Sequence, residues 1–431
     1  MLRETFSRTM RSNGRWPEIV RAVLFAFLCT GTIFLGVVPA LKKPNTDFTN
    51  YYVGARLLLD GENLSRLYDR TWFEQRIGEY GIHDQQGTFA PFPPPTALIL
   101  VPFAFFKPLD AKILWTAANV VFLVGSVLIL GRIIRRPWIH SGIIILLSGT
   151  AVINGLRFGQ FYILLLLLIL CGIWAAERRH DVTSGTLFGL FVPIKYFPVI
   201  LLLYYAWLRR WKIVQAGIVT SGAVFLGGVL VMGWSVHDTF FHNVLISHLE
   251  GNIQDPFTAT FQSWNSLLRR IFVFDLNMNP VPLFDWPFGF SLVKNGTLVG
   301  IAAITVTAMR RLGRDDMRKT RLAIGLAIVA GLLIAPATAT YHFILLSVPA
   351  AFLLLEFLEQ ERIGRAALVL LCYSAIGVLP IGRIVQSFDQ ANGLLVLAYP
   401  RLWLLTILFA VTTVVTFRGV DSSLNRFRST G

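Results

Sequence analysis

The chain has 431 residues, of which 55% are hydrophobic and 15% charged, and its mean hydropathy is +0.61. Soluble domains carry about 25% charged residues, so these figures exclude a disordered chain and a soluble enzyme of ordinary composition and leave a polytopic membrane protein. Lys plus Arg is 39 against 24 Asp plus Glu. In a soluble protein that excess would suggest nucleic acid; here the basic residues cluster in short loops between apolar runs, at Arg132, Arg135 and Arg136, at Arg209, Arg210 and Lys212, and from Arg310 to Arg321. This is the pattern of cytoplasmic loops, with membrane lipid head groups as a second partner and no nucleic acid.

A spanning helix needs roughly 20 apolar residues. The expected fold is all-α, a polytopic membrane protein with about 10–13 transmembrane helices. The first apolar run, 19–38, follows an Arg-rich start and is read as an uncleaved anchor running outward from a cytoplasmic tail, 1–18. The first outer loop, 41–95, is too long to be a connector. It should hold two short amphipathic helices, one over 47–60 stopped by Gly61 and one capped by Asp69. The apolar segment 96–106 is too short to cross a bilayer and should tuck into the protein.

Further spans are expected at 111–130, 139–153, 161–176, 213–234, 290–309, 322–335, 343–358, 366–380 and 394–417. Between 183 and 208 the prolines Pro193 and Pro198 break an apolar run. Two half-length helices in a hairpin would leave Arg178-Arg179 and Arg209-Arg210 on one side, as the distribution of positive charge requires. A second large outer loop spans 235–288. Together the outer loops hold eight basic and twelve acidic residues. Residues 19–417 form a single domain, and the tail 418–431 returns to the cytoplasm.

Several residues could carry chemistry. Asp47, just past the first span, could be a general base, with Tyr51 one turn on along the same helical face; it could equally serve the helix N-terminus. Lys195 is a charge in an apolar region, costly unless it is paired or faces a cavity, and an ammonium suits a phosphate. In the turn Arg157-Phe-Gly-Gln160, Gln160 could bind a sugar hydroxyl and Arg157 a phosphate. Arg270, in Gln262-Ser-Trp-Asn-Ser-Leu-Leu-Arg-Arg, and His342, after Ala335-Pro-Ala-Thr-Ala-Thr-Tyr, are further phosphate ligands in waiting. Tyr51, Tyr52 and Arg56 would face an acceptor. Cys29, Cys171 and Cys372 lie far apart in apolar runs, and His237, His242 and His248 lack zinc spacing. No metal, cofactor or nucleotide motif is expected. On the residues alone, an enzyme acting on a lipid-linked sugar and a carrier or flippase of such a solute both remain open.

Six segments in order tip this balance: Asp47…Tyr52-x-x-Ala55-Arg56…Gly61…Leu67-Tyr68-Asp69; Phe92-x-Pro-Pro…Leu98; Gly159-Gln160; Gly189…Ile194-Lys195-Tyr-Phe-Pro198 with Arg209-Arg210-Trp211; Gln262-Ser263…Arg270; and Pro336…His342. This series resembles glycosyltransferase family 87. The resemblance implies a GT-C fold and transfer of a sugar, mannose or similar, from a polyprenyl-phosphate donor to a lipid or glycan acceptor. It places the enzyme in a bacterial inner membrane with its site on the outer face. It further implies that Asp47 is the catalytic base of an inverting reaction, with Lys195, Gln160, Arg270 and His342 near the donor.

Overall fold

The computed structural model describes residues 16–44, 46–83, 85–252, 255–311, 316–388 and 394–428. Most of the expected N-terminal tail, and Asp84 of the first outer loop, lie outside these residues. Numbering the helices of eight residues or more, the first part of the chain holds α1 (Trp16–Thr32), α2 (Thr46–Leu59), α3 (Arg70–Glu79), α4 (Thr96–Ala104), α5 (Pro108–Ile134) and α6 (Trp138–Leu146). Then follow α7 (Thr150–Phe158), α8 (Tyr162–Glu177), α9 (Asp181–Gly189), α10 (Val199–Trp207), α11 (Trp211–Met232) and α12 (Trp264–Phe272). The last are α13 (Pro287–Arg311), α14 (Met317–Ile334), α15 (Ser347–Glu359), α16 (Ile363–Val378), α17 (Ile381–Phe388) and α18 (Pro400–Arg428). There is no β-strand among the described residues.

The protein is thus an all-α polytopic membrane protein, as expected. Among the described residues, six helices are long and apolar enough to span a bilayer: 17–40, α5, α11, α13, 340–359 and the first part of α18. Two bent pairs, α6 with α7 at 77° and α16 with α17 at 79°, raise the number to eight. Two further apolar helices, α8 and α14, fall outside that set. α8 has only 16 residues, ten of them buried. α14 opens on Arg318, Lys319 and Arg321 and is buried along most of its length, with α10, α13, α15 and α18 packed around it. A helix that is apolar on every side reads alike whether protein or lipid surrounds it.

The run expected as one span over 139–153 breaks at Gly149, whose φ of +52° is left-handed. A Cβ there would lie 2.6 Å from the Gly377 carbonyl, so only glycine lets α7 turn away against α16. The segment 183–208 does fold back on itself. At its base the Arg210 guanidinium pairs with Asp181 and donates to the Ala176 carbonyl at 2.9 Å, which brings the ends of α8 and α10 together. In the first outer loop Asp69 caps α3 by accepting from the Trp72 N–H at 3.1 Å. α2 packs on α4, whose nine residues rise only about 14 Å and cannot cross a bilayer. This platform sets the first turn of α2 against the α7–α8 turn.

Candidate functional site

Asp47 lies in the first turn of α2, where the helix dipole favours a carboxylate. Phe48, Tyr51, Tyr52 and Ala55 are buried behind it. Burial raises the Asp47 carboxyl above its ordinary value. The Gln160 amide and then the charges of Lys195 and Lys112 pull it back down. Two ammonium groups therefore act on one carboxylate, an excess of positive charge suited to an anion.

Gln160 is buried and held at one end of its amide. Its Oε1 accepts from the Tyr51 hydroxyl at 2.9 Å, which turns its Nε2 away from Tyr51. The preceding residue, Gly159, ends α7 at φ +67°. A Cβ there would come within 2.7 Å of Lys112 Nζ and 2.9 Å of the Phe48 Cβ, so glycine is required for both the turn and the close approach. The Trp115 indole donates to the Gly159 carbonyl at 2.8 Å. Lys112, wholly buried on α5, donates to the carbonyls of Leu156 at 3.3 Å and Arg157 at 2.9 Å. A cation thus sits at the negative end of α7 and within electrostatic reach of Asp47.

Lys195 lies between α9 and α10, with its ammonium 4.6 Å from the Phe92 ring centre and 5.5 Å from that of Tyr162. It lines a cavity of about 610 Å³ together with Tyr162, His248, Lys294, Tyr341 and His342. Much of the remaining lining is apolar, with Ile200, Leu203, Leu298, Leu332 and Leu333 among others. None of the described residues lining it is acidic. Asp47 is not among the lining residues; Lys195 belongs to the wall and acts on Asp47 as well. His248 is held low, to about 4, by burial and by the charge of Lys195, so its ring is neutral near pH 7.

His342 packs on Tyr162, ring centres 4.4 Å apart, and on Tyr341 at 4.9 Å. Its Nδ1 accepts from the Ala339 N–H at 3.1 Å, which leaves the proton of a neutral ring on Nε2 as a donor. The segment is braced by Arg401, only 2% exposed. The Arg401 guanidinium donates to Thr340 Oγ1, Thr150 Oγ1 and the carbonyls of Ile376 and Leu379 at 2.7–3.2 Å. The Arg401 N–H donates to Gln262 Oε1 at 3.0 Å.

The fold therefore brings together Asp47, Tyr51, Gln160 and Lys195, with His342 in the same cavity lining as Lys195 and against the same Tyr162 ring. It does not bring the other candidates there. Tyr52 donates to the Phe106 carbonyl at 2.9 Å and Arg56 to that of Ala104 at 3.0 Å, so both tie α2 to α4. Arg157 is exposed and Arg270 half-exposed, and neither lines the cavity. Three cations went unread in the sequence, Lys112, Lys294 and Arg401, and His248 was weighed only as a metal ligand. A single charge near the start of an apolar run was the available signal for Lys112 and Arg401; His248 and Lys294 carried none. Among the described residues no group of three His, Cys, Asp or Glu side chains could hold a metal ion.

The sequence profile of glycosyltransferase family 87 matches residues 89–336, more than half of the chain. Three similar proteins are mannosyltransferases. One, from Mycobacterium tuberculosis, is a polyprenol-phosphate-mannose-dependent alpha-(1-2)-phosphatidylinositol pentamannoside mannosyltransferase, 25% identical over 72% of this chain and 66% of its own length. A polyprenol-phosphate-mannose-dependent alpha-(1-2)-phosphatidylinositol mannoside mannosyltransferase of the same species is 25% identical over 78% of this chain and 77% of its own. Its namesake from Mycolicibacterium smegmatis is 24% identical over 88% and 87%.

Proposed function

Because the chain belongs to glycosyltransferase family 87, it is a glycosyltransferase, and we propose that it moves mannose or a similar sugar from polyprenyl phosphate to a lipid or glycan acceptor. The observation that carries this reading is the cavity beside Asp47. Its described lining carries the ammonium groups of Lys195 and Lys294, no acidic residue, and many apolar side chains. That combination suits an amphiphilic anion, which a lipid-linked sugar phosphate is and a soluble sugar is not.

In this mechanism Asp47 takes the proton of an acceptor hydroxyl as its oxygen attacks the anomeric carbon. The bond from that carbon to the donor phosphate breaks, and the phosphate leaves with the electron pair. Lys195 and the Nε2 proton of His342 stabilise the charge that develops on it. One displacement inverts the anomeric carbon, as in inverting glycoside hydrolysis. The distribution of positive charge supports cytoplasmic termini and a site on the opposite side of a bacterial inner membrane.

The test is transfer of radiolabelled sugar from synthetic polyprenyl-phosphate mannose, and separately polyprenyl-phosphate arabinose, to a membrane lipid extract, with wild type beside Asp47→Asn. Product from wild type alone supports the reading. Robust turnover by a folded Asp47→Asn variant removes Asp47 as the base. Lipid-linked sugar crossing liposomes without any transfer would replace the enzyme with a carrier.

A further inference from the structure

The segment between α12 and α13 has no role in the chemistry above, and its composition is unusual for a polar loop. Residues 271–288 contain eleven large apolar side chains, two carboxylates, Asp275 and Asp285, and no Lys or Arg. Eight of these apolar side chains are not drawn inward. Leu276 is 76% exposed, Val281 66% and Phe288 70%, with Phe274, Met278, Leu283, Phe284 and Trp286 also exposed.

The backbone beneath them is nonetheless pinned. The Asp275 carboxylate accepts from the N–H groups of Asn277 and Met278 at 2.9 and 2.8 Å, and Asp275 and Asn279 exchange backbone bonds at 3.1 and 3.0 Å. The Asn279 amide donates to the carbonyls of Arg270 and Val273. Phe284 and Trp286 donate their N–H groups to the carbonyls of Ile271 and Phe272, each at 2.9 Å. The loop thus holds a fixed shape with its apolar side chains turned outward, at Leu276 and Met278 on the tip and from Val281 to Phe288 along the return. In water such a patch would be unfavourable.

Two features say what covers it. Phe288 is the second residue of α13, a 25-residue helix long enough to cross a bilayer, whose own outward residues Leu292 and Val299 continue the same apolar surface. Trp and Phe at that junction are the residues of a membrane–water interface. The absence of cations, with two carboxylates present, points to the glycerol and upper acyl region of a leaflet rather than to anionic head groups.

We propose that the 273–288 loop seats in the leaflet at the outer end of α13, inserting its tip about 5–10 Å into the head-group and acyl boundary. The loop joins α12, whose Trp264 and Asn265 line the cavity, to α13, whose Lys294 and Leu298 line its other wall. Seating it therefore holds the cavity walls at the lipid surface.

The test uses the full chain in phosphatidylcholine–phosphatidylglycerol nanodiscs, with Cys29, Cys171 and Cys372 replaced by Ala. An NBD fluorophore is placed on Leu276→Cys, on Val281→Cys, and on His83→Cys in the first outer loop as a reference. Nitroxide-labelled phosphatidylcholine should quench the two loop probes and leave the reference unquenched. Their emission should also be blue-shifted, and unchanged when salt is raised. Quenching by aqueous iodide without quenching by the labelled lipid would overturn the proposal. So would shielding from both quenchers, which would mean that protein, such as a second copy, covers the loop. Neither result depends on sugar transfer, so failure here leaves the catalytic reading untouched.

Discussion

The Tyr51 hydroxyl donates to Gln160 Oε1 at 2.9 Å, joining the first turns of α2 to the turn between α7 and α8, 109 residues away. This bond decides which end of the amide is left for Asp47. Oε1 is already engaged, which leaves Nε2 as a buried donor with no hydrogen-bond partner among the described residues, and the Gln160 amide lowers the Asp47 carboxyl. Tyr51 is also clamped between the rings of Phe92 and Phe161, with centres 4.5 and 4.3 Å away. The orientation is thus set by packing as well as by the bond.

Removing the hydroxyl in Tyr51→Phe should keep the ring packing but let the amide rotate. Losing one such oriented contact is worth about 1.4 kcal/mol, or roughly tenfold in rate. The expected result is a fall of that order in kcat, with thermal stability nearly unchanged. Wild-type kcat in Tyr51→Phe would show that Gln160 is held without it.

The pH profile has a definite sign. A general base works ionised, and burial raises the Asp47 carboxyl above the ordinary carboxylate value. The ascending limb of kcat/KM should therefore lie above the limb that an unperturbed carboxylate would give. Lys112 lowers the Asp47 carboxyl, so Lys112→Met should move the limb to higher pH. A limb that stays in place in Lys112→Met would separate it from Asp47.

Lys195 and Lys112 both act on Asp47, but only Lys195 lines the cavity. Lys195→Met should lower kcat on the order of 10²-fold, as expected when one preorganised charge is withdrawn from a leaving group. Lys195→Arg should recover part of that loss, because the charge returns with a different shape. Transfer rates measured with saturating donor decide this. Equal rates in Lys195→Met and wild type would remove Lys195 from the phosphate.

Arg401 makes a structural prediction. Its guanidinium is surrounded by four hydroxyl and carbonyl oxygens from three separate segments. Arg401→Met would leave those of Ile376 and Leu379 without this donor and should destabilise the protein by on the order of 3 kcal/mol. A lowered melting transition in detergent, read by size-exclusion chromatography after heating, is the expected outcome. A transition within error of wild type would mean that water replaces the guanidinium.

Much of this protein was determined by its sequence alone. The membrane class follows from composition, because apolar side chains in that proportion cannot all be buried in a soluble domain. The cap at Asp69, the short α4 and the fold-back between Arg179 and Arg209 were also legible. Helix caps, segment lengths and proline breaks act within a few residues of the chain. Asp47, Gln160, Lys195 and His342 could be singled out individually, since polar residues in apolar surroundings are conspicuous. Tertiary structure decided which of them meet. Arg157 and Arg270 carry the same guanidinium that a phosphate would need, yet neither lines the cavity, whereas His248 and Lys294, which had no local signal, do. It also decided which apolar helices have protein on every side and which face lipid. These outcomes depend on contacts between segments a hundred or more residues apart, and periodicity along one helix carries no information about its neighbours.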